Sequence, residues 1–171
     1  MDKLISNFYK CLLVLACLSM LAAFGAIVLG IVARQVGLDI QGLDAYAGYA
    51  IAATLFLALP ETFRQGDHIR VTLLLQKMPA KLRTAFEYWG LGAGAALALY
   101  LAWFAARLAW ISWTTHDISS SADATPLWIP QLSMVLGCIG FAVAFLDALA
   151  ARIHAREFFR VEVPGEIAHV E

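Results

Sequence analysis

Four histidines, three cysteines and a handful of carboxylates are the residues of this 171-residue chain that could do chemistry. His68, His116, His154 and His169 all lie outside the apolar runs. No pair of them can therefore face across a helix bundle, as haem b ligation requires. Cys11, Cys17 and Cys138 lie within apolar stretches and show no CxxC spacing, so they read as small buried hydrophobes rather than redox or metal ligands. No HExxH, Walker A, GxSxG or EF-hand pattern occurs. Four carboxylates lie close to the apolar runs, namely Asp44, Glu61, Glu87 and Asp147, and each has a basic residue within reach. Ionisable groups in a membrane default to function. Here pairing is the simpler use: Arg34 with Asp44, Glu61 with Arg64, Glu87 with Arg83 one turn earlier, and Asp147 with the C-terminal arginines. Arg107 is the exception, two-thirds of the way along an apolar run, and is expected to snorkel outward or to meet Asp117 or Asp123.

The elements that must position these groups follow from composition. Hydrophobic residues make up 61% of the chain and charged residues 15%, and the mean hydropathy is +0.74. Soluble domains are about 45–50% apolar and about 25% charged. Twelve Lys+Arg and thirteen Asp+Glu cannot cover so much apolar surface in water. A water-soluble enzyme domain, a disordered chain and a disulfide scaffold are excluded, and no basic run offers a nucleic-acid footprint.

Four apolar segments appear, at about 11–33, 43–63, 85–111 and 127–151. Each approaches or exceeds the ~20 residues needed to cross a ~30 Å hydrocarbon core. The first is too long for a signal-peptide core and is expected to remain as a span. None alternates as a barrel strand does, so the fold class is all-α integral membrane protein, with four transmembrane helices in a single membrane domain and a tail over 152–171. The basic residues orient it. Lys3 and Lys10, the group Arg64, Arg70, Lys77, Lys81 and Arg83, and Arg152, Arg156 and Arg160 all fall on one side. Only Arg34 and Arg107 fall on the other. The positive-inside rule then places both termini and the central loop in the cytoplasm, and Trp110, Trp113 and Trp128 at the outer interface.

Small residues recur at every fourth position in the third span: Gly90, Gly94, Ala98, Ala102 and Ala106. Ala22, Ala26 and Gly30 repeat the pattern in the first, and Gly140, Ala144 and Ala148 in the fourth. Such stripes let helices approach closely in lipid. They serve either an internal four-helix bundle or docking onto another polypeptide, and spacing does not separate the two. Between spans two and three, about 67–78 reads as an amphipathic interfacial helix capped by Asp67 after a turn at Gly66, with Leu74 and Leu75 on its apolar stripe and Arg70 and Lys77 on a flank. The middle of every span is almost wholly apolar, which leaves no place for an ion or hydrophilic solute and points to an accessory or scaffolding subunit. Two other classes stay open: a membrane anchor of a redox enzyme, which would want His ligands, and a small self-contained carrier, which would want a mid-membrane carboxylate.

The segment Arg64-Gln65-Gly66-Asp67-His68-Ile69-Arg70-Val71, leading into the amphipathic stretch, and the element Pro126-Leu127-Trp128-Ile129-Pro130 resemble the small membrane subunit (DctQ type) of tripartite ATP-independent periplasmic (TRAP) transporters. The resemblance covers about residues 10–150, and Thr72 departs from it where the family often has Asp. It implies a bacterial inner-membrane subunit without cofactor or enzymatic activity. That subunit would scaffold a large permease subunit, which carries sodium and an organic acid delivered by a periplasmic substrate-binding protein. The candidate contacts with that partner or with membrane lipids are Arg64, Gly66, His68, Arg70, Leu74, Leu75, Gly90, Gly94, Ala98 and Ala102.

Overall fold

A computed structural model describes residues 2–38, 40–65, 79–121 and 124–153, without the side chains of 2–4, 80, 81 and 83. The expected interfacial helix at 67–78 and nearly all of the 152–171 tail lie outside the described residues. Four helices carry the fold: α1 (Asp2–Gln35), α2 (Leu43–Gln65), α3 (Ala80–Thr115) and α4 (Trp128–Ile153). Each of the four apolar runs coincides with one helix to within a residue or lies inside it. All four helices are long and apolar enough to cross a membrane.

Local chemistry ends these helices where the sequence supplies a breaker. α1 closes in a Schellman motif: Gly37 takes φ 77°, its N–H bonds the Arg34 carbonyl at 3.2 Å, and the Leu38 N–H bonds the Ala33 carbonyl at 2.8 Å. Only glycine adopts that conformation without strain from a Cβ. α3 stops at His116, which is left-handed at φ 53°, and the Asp117 N–H returns to the Ser112 carbonyl at 3.1 Å. α4 accepts Pro130 in its first turn, where an N–H would have had no intrahelical partner. Pro60 lies inside α2, fully buried.

Helix order in space differs from helix order in sequence. α1 packs on α2 and α3 packs on α4, two antiparallel hairpins, and the hairpins meet through the parallel pair α2 and α4. The result is a row, α1–α2–α4–α3, and α1 touches α4 only lightly. This is not the closed four-helix bundle that the small-residue stripes also permitted. The row forms because α4 is the helix with small residues on two sides. Gly137 lies against α2: a Cβ there would fall inside the contact distance of the Phe56 carbonyl. A Cβ on Gly140 would meet Leu12 Cδ1 at 2.6 Å and Pro60 Cγ at 2.8 Å. On its other side α4 sends the Phe145 ring into the space left by Gly94 of α3.

The stripe on α3 is therefore partly internal. Gly94 and Ala98 are enclosed and Ala102 is half-buried, whereas Gly90 has open space around it and Ala106 is exposed. A helix turns 3.6 residues per turn, so a four-residue repeat drifts around the axis, and over sixteen residues it leaves the interface. The buried line that persists is Ala95, Ala98, Ala105, Ala109 and Ser112, in steps of three, seven, four and three, which keep to one helix face. The same drift puts Ala23 rather than Ala22 on the inner face of α1, with Gly30 buried and Ala26 half-buried. Cys138 is buried as expected, but Cys11 and Cys17 are exposed on the outer face of α1. In a helix bounded by lipid, an outward cysteine costs nothing.

Because Gly137 faces backbone rather than a movable side chain, Gly137→Ala must push α2 and α4 apart. Overpacking of this kind costs about 1–3 kcal/mol. Gly137→Ala is expected to lower the thermal unfolding midpoint in detergent by about 3–10 °C. Gly90→Ala, which meets nothing, should leave it unchanged or slightly raised. The two midpoints, measured side by side, check the α2–α4 contact.

Candidate functional site: interaction surfaces at the two ends

Among the described residues, most side-chain hydrogen bonds and ion pairs between elements gather at the two ends of the row. At the end holding the α1 N-terminus and the α2 C-terminus, Tyr9, Phe63, Ala144 and Ala148 form a buried cluster from α1, α2 and α4. Phe63 lies 4.1 Å from Phe145, centroid to centroid, and 5.9 Å from Phe141 in an edge-to-face contact at 84°. Such aromatic pairs add about 0.5–1.5 kcal/mol each beyond area burial. Arg64 sits on the rim of this cluster. Its guanidinium carbon lies 5.3 Å from the centre of the Tyr9 ring, and it pairs with Glu61 at 3.9 Å. Tyr9 is 1% exposed, and its hydroxyl finds no hydrogen-bond partner among the described residues. Nearby, Arg152 of α4 donates to Glu87 of α3 and thereby closes the α3–α4 hairpin at the same end.

The opposite end is built from the two loops. Arg34 pairs with Asp44 at 2.8 Å across the α1–α2 hairpin. With the side chains 68% and 86% exposed, that pair contributes about 0–1 kcal/mol, so the Schellman turn rather than the ion pair sets the hairpin. The α3–α4 loop folds back on itself: the Ser119 N–H donates to the Thr125 carbonyl at 2.8 Å and the Leu127 N–H to the Asp117 carbonyl at 3.0 Å. Two tyrosines of α2, one turn apart, hold this loop. The Tyr49 hydroxyl donates to Ser119 Oγ at 2.8 Å, and the Thr125 hydroxyl donates to Tyr46 Oη at 3.1 Å. Trp113 and Trp128 meet edge to face at 4.7 Å where α3 ends and α4 begins. Between these two ends the packed interior is mostly apolar, with the Thr54 hydroxyl donating to the Ala50 carbonyl at 2.9 Å, and among the described residues no three His, Cys, Asp or Glu side chains gather as metal ligands.

A family model for the DctQ component of tripartite ATP-independent periplasmic transporters matches residues 23–155. The chain belongs to the DctQ family. No curated protein and no solved structure matches it. The DctQ match and the four apolar helices together make it a multi-pass membrane component of a TRAP transporter.

The candidate contact residues of this DctQ chain fall into three groups. Arg64 is the last basic residue of α2 and is tied to Tyr9 and Glu61. Gly94 and Ala98 pack within the chain and Gly90 is open, as described above. Gly66, His68, Arg70, Leu74 and Leu75 lie outside the described residues. Of the expected charge pairs, Arg34–Asp44 and Glu61–Arg64 form. Glu87 reaches Arg152 on α4, while the Arg83 side chain is outside the described set. Arg107 is exposed and makes no ion pair with Asp117, and Asp123 lies outside the described residues. Sequence reasoning passed over Tyr9, which precedes its apolar run and carries no periodic signal. It also passed over Tyr46 and Tyr49, whose three-residue spacing at a helix start would have been a usable sign.

If Tyr46 and Tyr49 hold the α3–α4 loop, Tyr46→Phe with Tyr49→Phe removes two tertiary hydrogen bonds, each with a net contribution of about 0.5–1.5 kcal/mol. Amide exchange at Ser119 and Leu127 in the double variant is expected to accelerate about tenfold, with α1 and α2 unchanged. Hydrogen-exchange mass spectrometry of the 117–127 region reads this directly.

Proposed function

We propose that this DctQ chain is the non-catalytic small membrane subunit of a TRAP-type secondary transporter, held in the bacterial inner membrane with both termini in the cytoplasm. On this reading it scaffolds a large permease subunit. That subunit takes up an organic acid together with sodium, the acid being delivered by a periplasmic substrate-binding protein. The observation that carries the reading is the DctQ match over 133 of 171 residues. The apolar interior supports the division of labour, because a solute path needs polar groups or broken helices near the midplane. The concentration of Arg64, Arg152 and the other basic residues at one end supports the orientation.

On the same reading, Arg64 and the segment that follows it, with Gly66, His68, Arg70, Leu74 and Leu75, organise the complex at the cytoplasmic interface. Basic side chains there suit lipid phosphates or acidic groups of the partner, and the apolar stripe suits the interface itself.

Three measurements test the proposal. In proteoliposomes the isolated chain should give no sodium-dependent organic-acid uptake above empty vesicles, and uptake should appear when the large subunit is co-reconstituted and the substrate-binding protein is added. Robust uptake by the isolated chain overturns the proposal. In a background without the native cysteines, Ser120→Cys should label with an impermeant reagent in intact cells and Gln76→Cys should not; the reverse pattern inverts the topology. Leu74→Asp with Leu75→Asp places two charges on the apolar stripe, each opposing partition by about 1–3 kcal/mol. That variant should insert normally yet co-purify poorly with the large subunit, and normal complex yield would reduce the segment to a linker.

A further inference from the structure

The row leaves two helices at its edges, and their outward faces differ in kind. On α1, every exposed side chain from Leu13 to Val32 is apolar or a cysteine. That is a surface for lipid. On α3 the outward face carries Tyr100, Trp103, Phe104, Arg107 and Trp110, at spacings of three, four and seven residues that align along one side. Tyr100 is 63% exposed and Trp103 and Trp110 are each 69% exposed. Tyr100 stacks on Phe104 at 4.5 Å, but its hydroxyl has no hydrogen-bond partner among the described residues, and neither has the Arg107 guanidinium.

Depth turns this into a problem for a lipid-facing surface. Tyr100 stands at the middle of the apolar span Thr84–Thr115. Arg107 lies seven residues nearer the loop end, about 10 Å from the midplane and inside a hydrocarbon half-thickness of about 15 Å. Arginine can snorkel from that depth. A phenol at the midplane reaches neither interface, and an unpaired hydroxyl in hydrocarbon costs several kcal/mol. Tryptophan, too, prefers the headgroup level, and Trp103 is far from it. Tyrosine, tryptophan and arginine grouped on one face are instead the residues that dominate protein–protein contacts. Among the described residues no neighbour in the chain covers them, because there α3 packs extensively only on α4, through Ala95, Ala98, Ala105 and Ala109 on the opposite side.

We infer that the Tyr100–Arg107 face of α3 is the surface on which the large membrane subunit docks, and that the α1 edge faces lipid. The assignment rests on the reading of this chain as the partner-holding subunit. The partner helix it fits offers a hydrogen-bond acceptor at the midplane for the Tyr100 hydroxyl. About two turns nearer the loop end, the same helix presents a carboxylate or a free backbone carbonyl for Arg107. Charge complementarity of this type fixes register as well as partner.

Photocrosslinking in the assembled complex tests it. A benzoylphenylalanine at position 103 or 110 should crosslink to the large subunit, and one at position 21 or 24 on α1 should not. Tyr100→Phe combined with Arg107→Leu should reduce recovery of the large subunit with the tagged chain at least tenfold, while the thermal midpoint of the isolated full chain stays unchanged. Restoring a cation with Arg107→Lys in the Tyr100 background should recover part of the yield. Crosslinks from 21 or 24 with none from 103 or 110 overturn the face assignment, as does undiminished recovery of the double variant. Crosslinks from 103 to a second copy of this chain overturn the occupant. Failure of the unaltered chain to bring down any large subunit strikes the pairing reading itself, so the two failures are told apart.

Discussion

The structure depends on how closely α2 and α4 approach. Water drives apolar helices together, but lipid does not, since hydrocarbon tails are as apolar as leucine. What remains is contact between surfaces that fit, and the fit here is Gly137 against the Phe56 carbonyl. A larger residue at position 137 would hold the hairpins apart, and among the described residues α2–α4 is the only extensive contact between them. The same helix then accommodates Leu12 and Pro60 over Gly140 and inserts Phe145 beside Gly94. α4 is central because it presents small residues to both sides, and α1 and α3 are edges because they present them to one.

A row has consequences that a closed bundle would not. A closed bundle turns four inner faces toward a common axis, where polar groups could gather away from lipid. In this chain α2 and α4 meet across a seam that includes Phe56, Pro60, Gly137 and Gly140, and most hydrogen bonds and ion pairs between the described helices and loops lie toward the two ends. At one end Tyr9, Glu61 and Arg64 sit over an aromatic cluster. At the other, Tyr46 and Tyr49 bind the α3–α4 loop to α2. The described interior of this DctQ component is filled by apolar clusters. Its capacity for specific interaction lies in its ends and its flanks.

Much of this was legible in the residues, and the exceptions have physical causes. Span lengths and the pairs Arg34–Asp44 and Glu61–Arg64 follow from local spacing, where one sequence allows one geometry. The match to DctQ agrees with the motif around Arg64 and with the Pro126–Pro130 element. The register of the α3 stripe was read too literally: a four-residue repeat looks continuous on paper but rotates out of the interface between Gly90 and Ala106. The row itself was not legible, because small residues at helical spacing say that something packs closely without saying what. Tyr9 was invisible for a related reason. Its burial comes from three helices converging, and no single segment encodes that.

The contrast between the two edges is what the row makes informative. Had the helices closed into a bundle, the outward residues of every helix would share the same lipid and could be compared only by hydropathy. In a row, one edge can be specialised without disturbing the other, because the central pair already holds the hairpins together. The α1 edge is apolar from Leu13 to Val32 and tolerates Cys11 and Cys17 facing outward. The α3 edge holds a phenol at mid-depth and a guanidinium two turns away, both costly in hydrocarbon and neither needed to hold α3 on α4. Groups that weaken the free chain in lipid and add nothing to its own packing are accounted for by a surface that is covered. The interaction that stabilises the fold and the interaction that serves the assembly thus lie on opposite sides of a single helix.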